Sequence, residues 1–264
     1  MIEPEDICML VFTSALNLHE RALSVQNTWL KDFPCGYLVG GNYIDTKLRM
    51  ISAGENVGED YSSAADKQYL GLKKAFELHP DKKWFYITGC DAFIYSYNLC
   101  TLLSKYNYEN DFFVGGHARS LKFLDTEIVN LSGGAGFALS NSLALKIVSS
   151  LSDIYAMKDY LSKKQWNACD MTIAYFIEKK LKINPTICDG FSHCQPYHPE
   201  SVFNCDPVAY HMINIREMYS LYSGKKIKKP NILYYVFDKI HVLLAKKLKT
   251  KKIVNVICKF FYGK

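Results

Sequence analysis

The feature that most constrains this chain is the alternation of short apolar runs with amphipathic segments through its first two thirds. ICMLVFTSA (7–15) reads as a buried strand with a small polar end. LHERALSVQNTWLKDF (18–33) follows with Leu18, Ala22, Val25 and Trp29 at helical spacing. CGYLVGG (35–41) reads as a second strand, and YSSAADKQYLGLKKAFELH (61–79) as a helix entered from a serine cluster. KKWFYITGCDAFI (82–94) is an aromatic, β-branched strand running into a turn, and DFFVGGH (111–117) is a further strand. LSGGAGFALS (131–140) is a glycine-rich turn entering a strand. NSLALKIVSSL (141–151) is then a helix capped by Asn141, and CDMTIAYFIEKKL (169–181) a helix with an acid at its start. LKINPTICDG (181–190) and DPVAYHMI (206–213) read as short strands, and REMYSLYS (216–223) as a short helix. Strands alternating with helices predict an α/β sandwich around a mostly parallel sheet. Ligands in such sheets bind beyond the carboxyl ends of the strands.

Charge divides the chain at about residue 224. From Lys225 onward there are twelve lysines, no arginine and one acid, Asp238, so this segment carries +11 while the rest carries −5. A mildly acidic body argues against a nucleic-acid-binding core, and a basic tail suggests peripheral attachment. The tail alternates lysine with Tyr, Phe, Leu and Ile. It reads either as a helical appendage whose lysine stems snorkel or, as favoured here, as a segment lying on anionic lipid. The expected organisation is therefore a catalytic domain over 1–224 and a basic amphipathic helical segment over 225–264. No apolar run reaches the ~20 residues a membrane span needs, and the N-terminal MIEPEDICMLVFTS has no basic start, so neither anchor nor signal peptide is visible. The nine cysteines include no CxxC pair, so no zinc site is expected; reduced thiols and a cytoplasmic location at the inner face of a membrane are expected.

Four features could carry chemistry. Asp91 lies just past a strongly apolar strand, where a carboxylate serves a ligand, a metal or a turn. Gly133, Gly134, Ala135 and Gly136 form a loop that permits unusual φ values and close approach of a backbone or ligand. There is no GxGxxG, which argues against a dinucleotide fold. Asp170, at a helix start, is either a cap or dipole partner or a general base facing an acceptor hydroxyl. His211 follows an apolar strand and precedes a turn, as Asp91 does. An Asp oxygen with a His nitrogen suits Mn²⁺ or Mg²⁺ bridging a diphosphate.

Taken in order, these pieces resemble glycosyltransferase family 31, in particular its Fringe and core 1 β1,3-galactosyltransferase branches. RALSVQNTW is similar to the family's R-x₆-T-W segment, represented by Arg21, Thr28 and Trp29. KKWFYITGCDAFI resembles the strand ending in the metal-binding Asp-Asp-Asp motif, and SGGAGFALS the G-G-A-G-(Y/F)-x-(L/I)-S loop. CDMTIAYF resembles the acidic pair before a helix, and DPVAYHMINIREMYSLY the core 1 branch's strand ending in His. The resemblance covers residues 8–222 and implies a GT-A-type α/β/α sandwich.

It also implies roles. Asp91 would ligate the metal and Asp170 would deprotonate the acceptor. Arg21 and Lys67 would lie in the donor site, Thr13 and Ser14 under uracil and ribose, and Gly133 to Gly136 beside the donor sugar. The metal histidine is His211 by the core 1 pattern or His193 by the Fringe pattern, with His211 favoured and His198 structural. The first two acids of the triple motif are Gly89 and Cys90 here, which removes charge near the metal and ribose. The implied function is an inverting transfer of a hexose or N-acetylhexosamine from a UDP-sugar, with Mn²⁺ or Mg²⁺. The acceptor would be a glycan or glycolipid hydroxyl, β1,3-linked, and a lipid-linked or surface polysaccharide is the expected context. A non-catalytic sugar- or nucleotide-binding relative is the alternative. Acceptor choice depends on the loops around Lys122, Trp166 and Tyr197.

Overall fold

The computed structural model describes residues 1–123, 126–162 and 169–227. Trp166 and the basic segment from 228 onward lie outside the described residues.

In chain order the elements are β1 (Ile7–Phe12), α1 (Leu23–Asn27), β2 (Gly36–Gly40), β3 (Met50–Ser52), α2 (Ala64–Leu78), β4 (Trp84–Gly89), β5 (Phe93–Ile94), α3 (Ser96–Leu103) and β6 (Phe113–Gly115). There follow β7 (Arg119–Phe123), β8 (Thr126–Asn130), β9 (Phe137–Ser140), α4 (Asn141–Ser149), α5 (Leu151–Ser162), α6 (Cys169–Tyr175), β10 (Thr186–Ile187), β11 (Phe191–Ser192), β12 (Ala209–Tyr210) and α7 (Ile215–Tyr222). Seven strands form one sheet in the order β10-β6-β9-β4-β1-β2-β3. Every pairing in it is parallel except the two made by β9, which runs antiparallel between β4 and β6. The expected mostly parallel α/β architecture is therefore present.

The near-continuous apolar runs of β1 and β4 follow from burial on both faces. Ile7, Met9, Val11, Trp84 and Tyr86 point into one apolar cluster with Val25, Leu99, Leu103, Met218 and Leu221. Cys8, Leu10, Phe85 and Ile87 point into the other with Tyr69, Leu72, Leu143, Ile147 and Ile173. So α1, α3 and α7 cover one face and α2, α4 and α6 the other. Each fully buried Leu or Phe here contributes about 2 kcal/mol of transfer free energy.

Local chemistry departs from the sequence reading at three places. The segment 18–33 is not one helix but a π turn (Leu18–Ala22), α1 and a 3₁₀ turn (Trp29–Asp32). The break comes at Thr28, whose hydroxyl donates to the Ser24 carbonyl at 2.6 Å and so competes with the helix ladder. The N-cap of α4 is Ser140, not Asn141: the Ser140 side chain accepts from the Leu143 amide, while Asn141 donates to the carbonyls of Pro80 and Lys82. Finally, β3, the β7–β8 hairpin, α3, α5 and β11 are not expected from the sequence.

Candidate functional site

A separate three-stranded sheet, β11-β12-β5, builds the centre of the site. β5 begins two residues after Asp91, β12 ends one residue before His211, and β11 ends one residue before His193. Tyr210 pairs with Phe93 antiparallel and with Ser192 in parallel. That register brings 91, 193 and 211, far apart in the chain, to one edge of the sheet. The turn holding Asp91 is fixed from the other side by Trp29, whose buried indole N–H donates to the Ala92 carbonyl at 3.0 Å. The Trp of the T-W pair thus anchors the Asp91 turn.

His211 Nε2 lies 3.4 Å from Asp91 Oδ1, and Arg21 Nη1 lies 3.8 Å from Asp91 Oδ2. Burial alone would raise the Asp91 pKa, but His211 and Arg21 outweigh it and hold the carboxyl below its ordinary range. Burial alone would lower that of His211, but the bond to Asp91 carries it above the usual histidine value. The other ring nitrogen, Nδ1, lies 3.2 Å from the His193 carbonyl, to which it donates as Nδ1–H. That bond sets the tautomer and leaves Nε2 facing Asp91, the arrangement of a metal-ligating histidine held by a backbone carbonyl. The 3.4 Å separation is close to what two ligands about 2.1 Å from one ion show, so this donor pair suits a divalent cation.

The glycine loop is fitted around these groups. A Cβ on Gly134 would lie 2.3 Å from the His211 ring, and one on Gly133 would lie 2.7 Å from Asp170 Cβ. Gly136 has φ +87° and abuts the Tyr86 ring. The Tyr86 hydroxyl donates to the Ala135 carbonyl at 2.7 Å and the Thr88 hydroxyl to the Gly134 carbonyl at 3.2 Å, pinning the loop to β4. Asp170, in the first turn of α6, faces this loop. Its Oδ2 accepts from the Gly133 amide at 3.3 Å and from Asn130 Nδ2 at 3.4 Å, and its Oδ1 from the Met171 amide. The buried Tyr69 hydroxyl donates to the Cys169 carbonyl, tying the start of α6 to α2.

Two adjoining clefts result. One, about 480 Å³, is lined by Asp91, His211, Gly133, Gly134, Asp170 and Gln68, with His117, Arg119 and His193 along its wall. The other, about 360 Å³, is lined by Thr13, Ser14, Arg21, Lys67, Cys90 and Asp91. Phe12, Ala64, Gly89 and Asp91 belong to both. Lys67 is 2% exposed, and its Nζ lies 3.0 Å from Glu59 Oε2. Glu59 also accepts from the amides of Ala15 and Gly41, so one carboxylate holds the ends of β1 and β2 beside the smaller cleft. At Gly89 an added Cβ would sit 3.1 Å from Asp91 Oδ1, and the Cys90 thiol is buried, which raises its pKa.

The structure therefore brings Asp91, His211 and Asp170 to one cleft and places Arg21 in the adjoining cleft, with Asp91 shared by both. His193 lines the same cavity but turns its ring away from Asp91, toward His117 and Glu200. His198 caps the Pro199–Ser201 turn through Nδ1. Glu59, Gln68, His117 and Asn130 were not singled out in the sequence. Gln68, a residue of the larger cleft's lining, is 2% exposed, and both its amide atoms are buried without a protein partner.

A family model described as Fringe-like matches residues 2–236. The chain belongs to the Fringe-like family. Among curated relatives, this Fringe-like chain is 27% identical over 242 residues to the β-1,3-N-acetylglucosaminyltransferase lunatic fringe of Xenopus laevis, covering 84% of this chain and 64% of that protein. It is 26% identical over 204 residues to radical fringe of the same species, covering 69% and 57%, and 26% identical over 208 residues to lunatic fringe of Mus musculus, covering 73% and 54%. The chain thus spans between about half and two thirds of the length of these relatives. Its backbone also overlaps the crystal structure of a glycosyltransferase involved in the glycosylation of the major capsid of PBCV-1, at 11% identity and a TM-score of 0.46, over 81% of this chain and 98% of that one. That likeness is too distant to bear on function.

Proposed function

We propose that this chain is an inverting glycosyltransferase that moves a hexose or N-acetylhexosamine from a UDP-sugar to a glycan hydroxyl. The observation that carries the reading is the convergence of Asp91 and Asp170 on one cleft, the first paired with His211 and Arg21, the second held by the glycine loop. The names of the relatives favour N-acetylglucosamine as the sugar and a β1,3 linkage.

Asp91 Oδ1 and His211 Nε2 would hold Mn²⁺ or Mg²⁺. When bound, the ion supplies positive charge to the departing diphosphate. Arg21, half-exposed at the mouth of the smaller cleft, adds its guanidinium to the same phosphates. Thr13 and Ser14, just past β1, line that cleft and suit the uridine. Lys67, fixed by Glu59, keeps that floor rigid. Asp170 takes the proton of the acceptor hydroxyl as that oxygen bonds to the anomeric carbon. The bond from that carbon to the diphosphate breaks with its electron pair on UDP, so an α-linked donor gives a β-linked product. Gly133 and Asn130 keep the carboxylate turned toward the cleft while it works.

The test is UDP release from a panel of UDP-sugars with Mn²⁺ and saccharide acceptors. Wild type turns over, and Asp170→Asn loses about 10²–10⁴-fold, the usual contribution of a general base. Turnover unchanged in Asp170→Asn removes the base assignment. A second reading, a non-catalytic nucleotide-sugar binder, is favoured by Gly89 and Cys90 standing where the family pattern has acids. It predicts UDP binding with no release from any donor. The lipid-linked acceptor and the attachment of 225–264 to an anionic membrane at the cytoplasmic face complete the proposal.

A further inference from the structure

Buried polar side chains in this protein are mostly paired. Thr28 donates to the Ser24 carbonyl and Thr88 to that of Gly134, Ser192 shares a bond with Ser201, and Lys67 meets Glu59. Gln68 departs furthest from this rule. Among the described residues it alone leaves two buried side-chain atoms, Nε2 and Oε1, without a partner. A buried amide that meets nothing is destabilising, so its retention calls for a partner that the folded chain does not itself supply. A second amide of the same cleft has a similar shortfall. Asn130 Nδ2 donates to Asp170 Oδ2 at 3.4 Å, which fixes how that amide is turned and leaves its Oδ1 buried and unpaired.

The position of Gln68 on its helix indicates what the partner is. Ala64, Lys67 and Gln68, at i, i+3 and i+4, share one face of α2. Ala64 borders both clefts, Lys67 the smaller and Gln68 the larger. That face therefore spans the join of the two clefts, which Asp91 also borders. A nucleotide in the smaller cleft with its diphosphate at Asp91 directs the attached sugar into the larger one, among Asp170, Gln68 and Asn130.

We propose that Gln68 and Asn130 select the donor sugar by hydrogen-bonding its ring substituents. This rests on the nucleotide-sugar reading above and adds what the sugar must carry. Gln68 offers donors and an acceptor side by side, the complement of an acetamido group or of a vicinal diol. Asn130 adds an acceptor for a further hydroxyl. Both side chains are neutral and Asp170 stands beside Asn130, while the exposed Arg119 of the same cleft lies 3.9 Å from Glu200. Neutral hexoses and N-acetylhexosamines suit this wall, and a uronic acid, whose carboxylate would face Asp170, does not. The Gln68 amide lies behind the cleft surface, so it meets the sugar by turning about its last torsion, which is broad and soft in glutamine.

The experiment is calorimetric titration of the full chain with Mn²⁺ and no acceptor, using UDP, UDP-glucose, UDP-N-acetylglucosamine and UDP-glucuronate in turn. Wild type, Gln68→Leu and Gln68→Met are compared. UDP, which has no sugar, should bind all three alike, and that binding also shows each variant to be folded. The two neutral UDP-sugars should bind both variants about tenfold more weakly than wild type, the effect of removing a side chain that pairs with the ligand. UDP-glucuronate should bind wild type more weakly than UDP-glucose does. Sugar affinity unchanged in both variants, losses equal for UDP and the UDP-sugars, or UDP-glucuronate bound as well as UDP-glucose overturns the proposal and leaves the transferase reading standing. Failure of both variants to fold overturns it too, because the amide would then be holding the fold rather than waiting for a sugar. A wild type that binds none of the four, UDP included, sinks the transferase reading itself.

Discussion

Gly134→Ala is the sharpest steric probe of the site. The added methyl would lie 2.3 Å from Cε1 and Nδ1 of His211 and 2.6 Å from Nε2, whereas ordinary contact begins at 3.4 Å. The ring is the group that yields, because the loop itself is pinned to β4 by Tyr86 and Thr88. Restoring contact moves the imidazole by about 1 Å, a displacement that costs about 100-fold in an oriented site. The loss should fall on the metal: the Mn²⁺ concentration giving half-maximal UDP release rises steeply. Gly133→Ala presses on Asp170 instead, 2.7 Å from its Cβ, and should lower kcat while leaving the Mn²⁺ requirement near that of wild type. Melting temperatures within about 4 °C of wild type, equivalent to roughly 1 kcal/mol, exclude a global fold defect. If Gly134→Ala retains wild-type metal dependence, or if both variants lose metal affinity alike, the placement of His211 against the loop is wrong.

Three other outcomes are expected. Gln68→Leu removes a buried amide with no protein partner, so melting should stay level or rise while kcat/KM falls about tenfold, or ~1.4 kcal/mol; lower melting with unchanged kinetics refutes a ligand role. In the metal-free protein, the Asp91–His211 pair contributes fully between about pH 4 and pH 6.5, the unfolded values of its members. That contribution fades as pH falls through the lowered Asp91 pKa or rises through the raised His211 pKa. The melting difference between wild type and His211→Gln should therefore shrink above that window while Mn²⁺ affinity grows, and a pH-independent difference contradicts this. Liposome flotation on anionic vesicles should fail without residues 225–264, and equal flotation of both forms removes the membrane role.

Much of this arrangement was legible in the chain, for reasons that differ by residue. Asp91 stands out because a carboxylate follows a strongly apolar strand, and the glycine loop because SGGAGFALS is so close to the family's G-G-A-G-(Y/F)-x-(L/I)-S pattern, its composition alone being common in tight turns. His211 is only narrowly favoured over His193 in the sequence, since the two branch patterns point to different histidines; the pairing of β12 with β5 is what sets His211 against Asp91. Glu59 sits in a polar loop with no periodicity, and its role appears only when the segments after β1 and β2, together with α2, bring four donors to it. Gln68 reads as an ordinary helical position until the sheet buries it. His117 depends on a left-handed backbone turn that no pattern announces. Ser140 and Asn141 exchanged roles because both can cap, and the contact of Asn141 with the carbonyls of Pro80 and Lys82 settles which one does.

The most direct test is calorimetric titration of UDP with Mn²⁺ into Asp91→Asn and Asp170→Asn side by side. A cation-and-diphosphate carboxylate and an acceptor-facing carboxylate predict that Asp91→Asn abolishes Mn²⁺-dependent UDP binding while Asp170→Asn binds as wild type does. Equal loss in both variants, or full binding in both, contradicts that division.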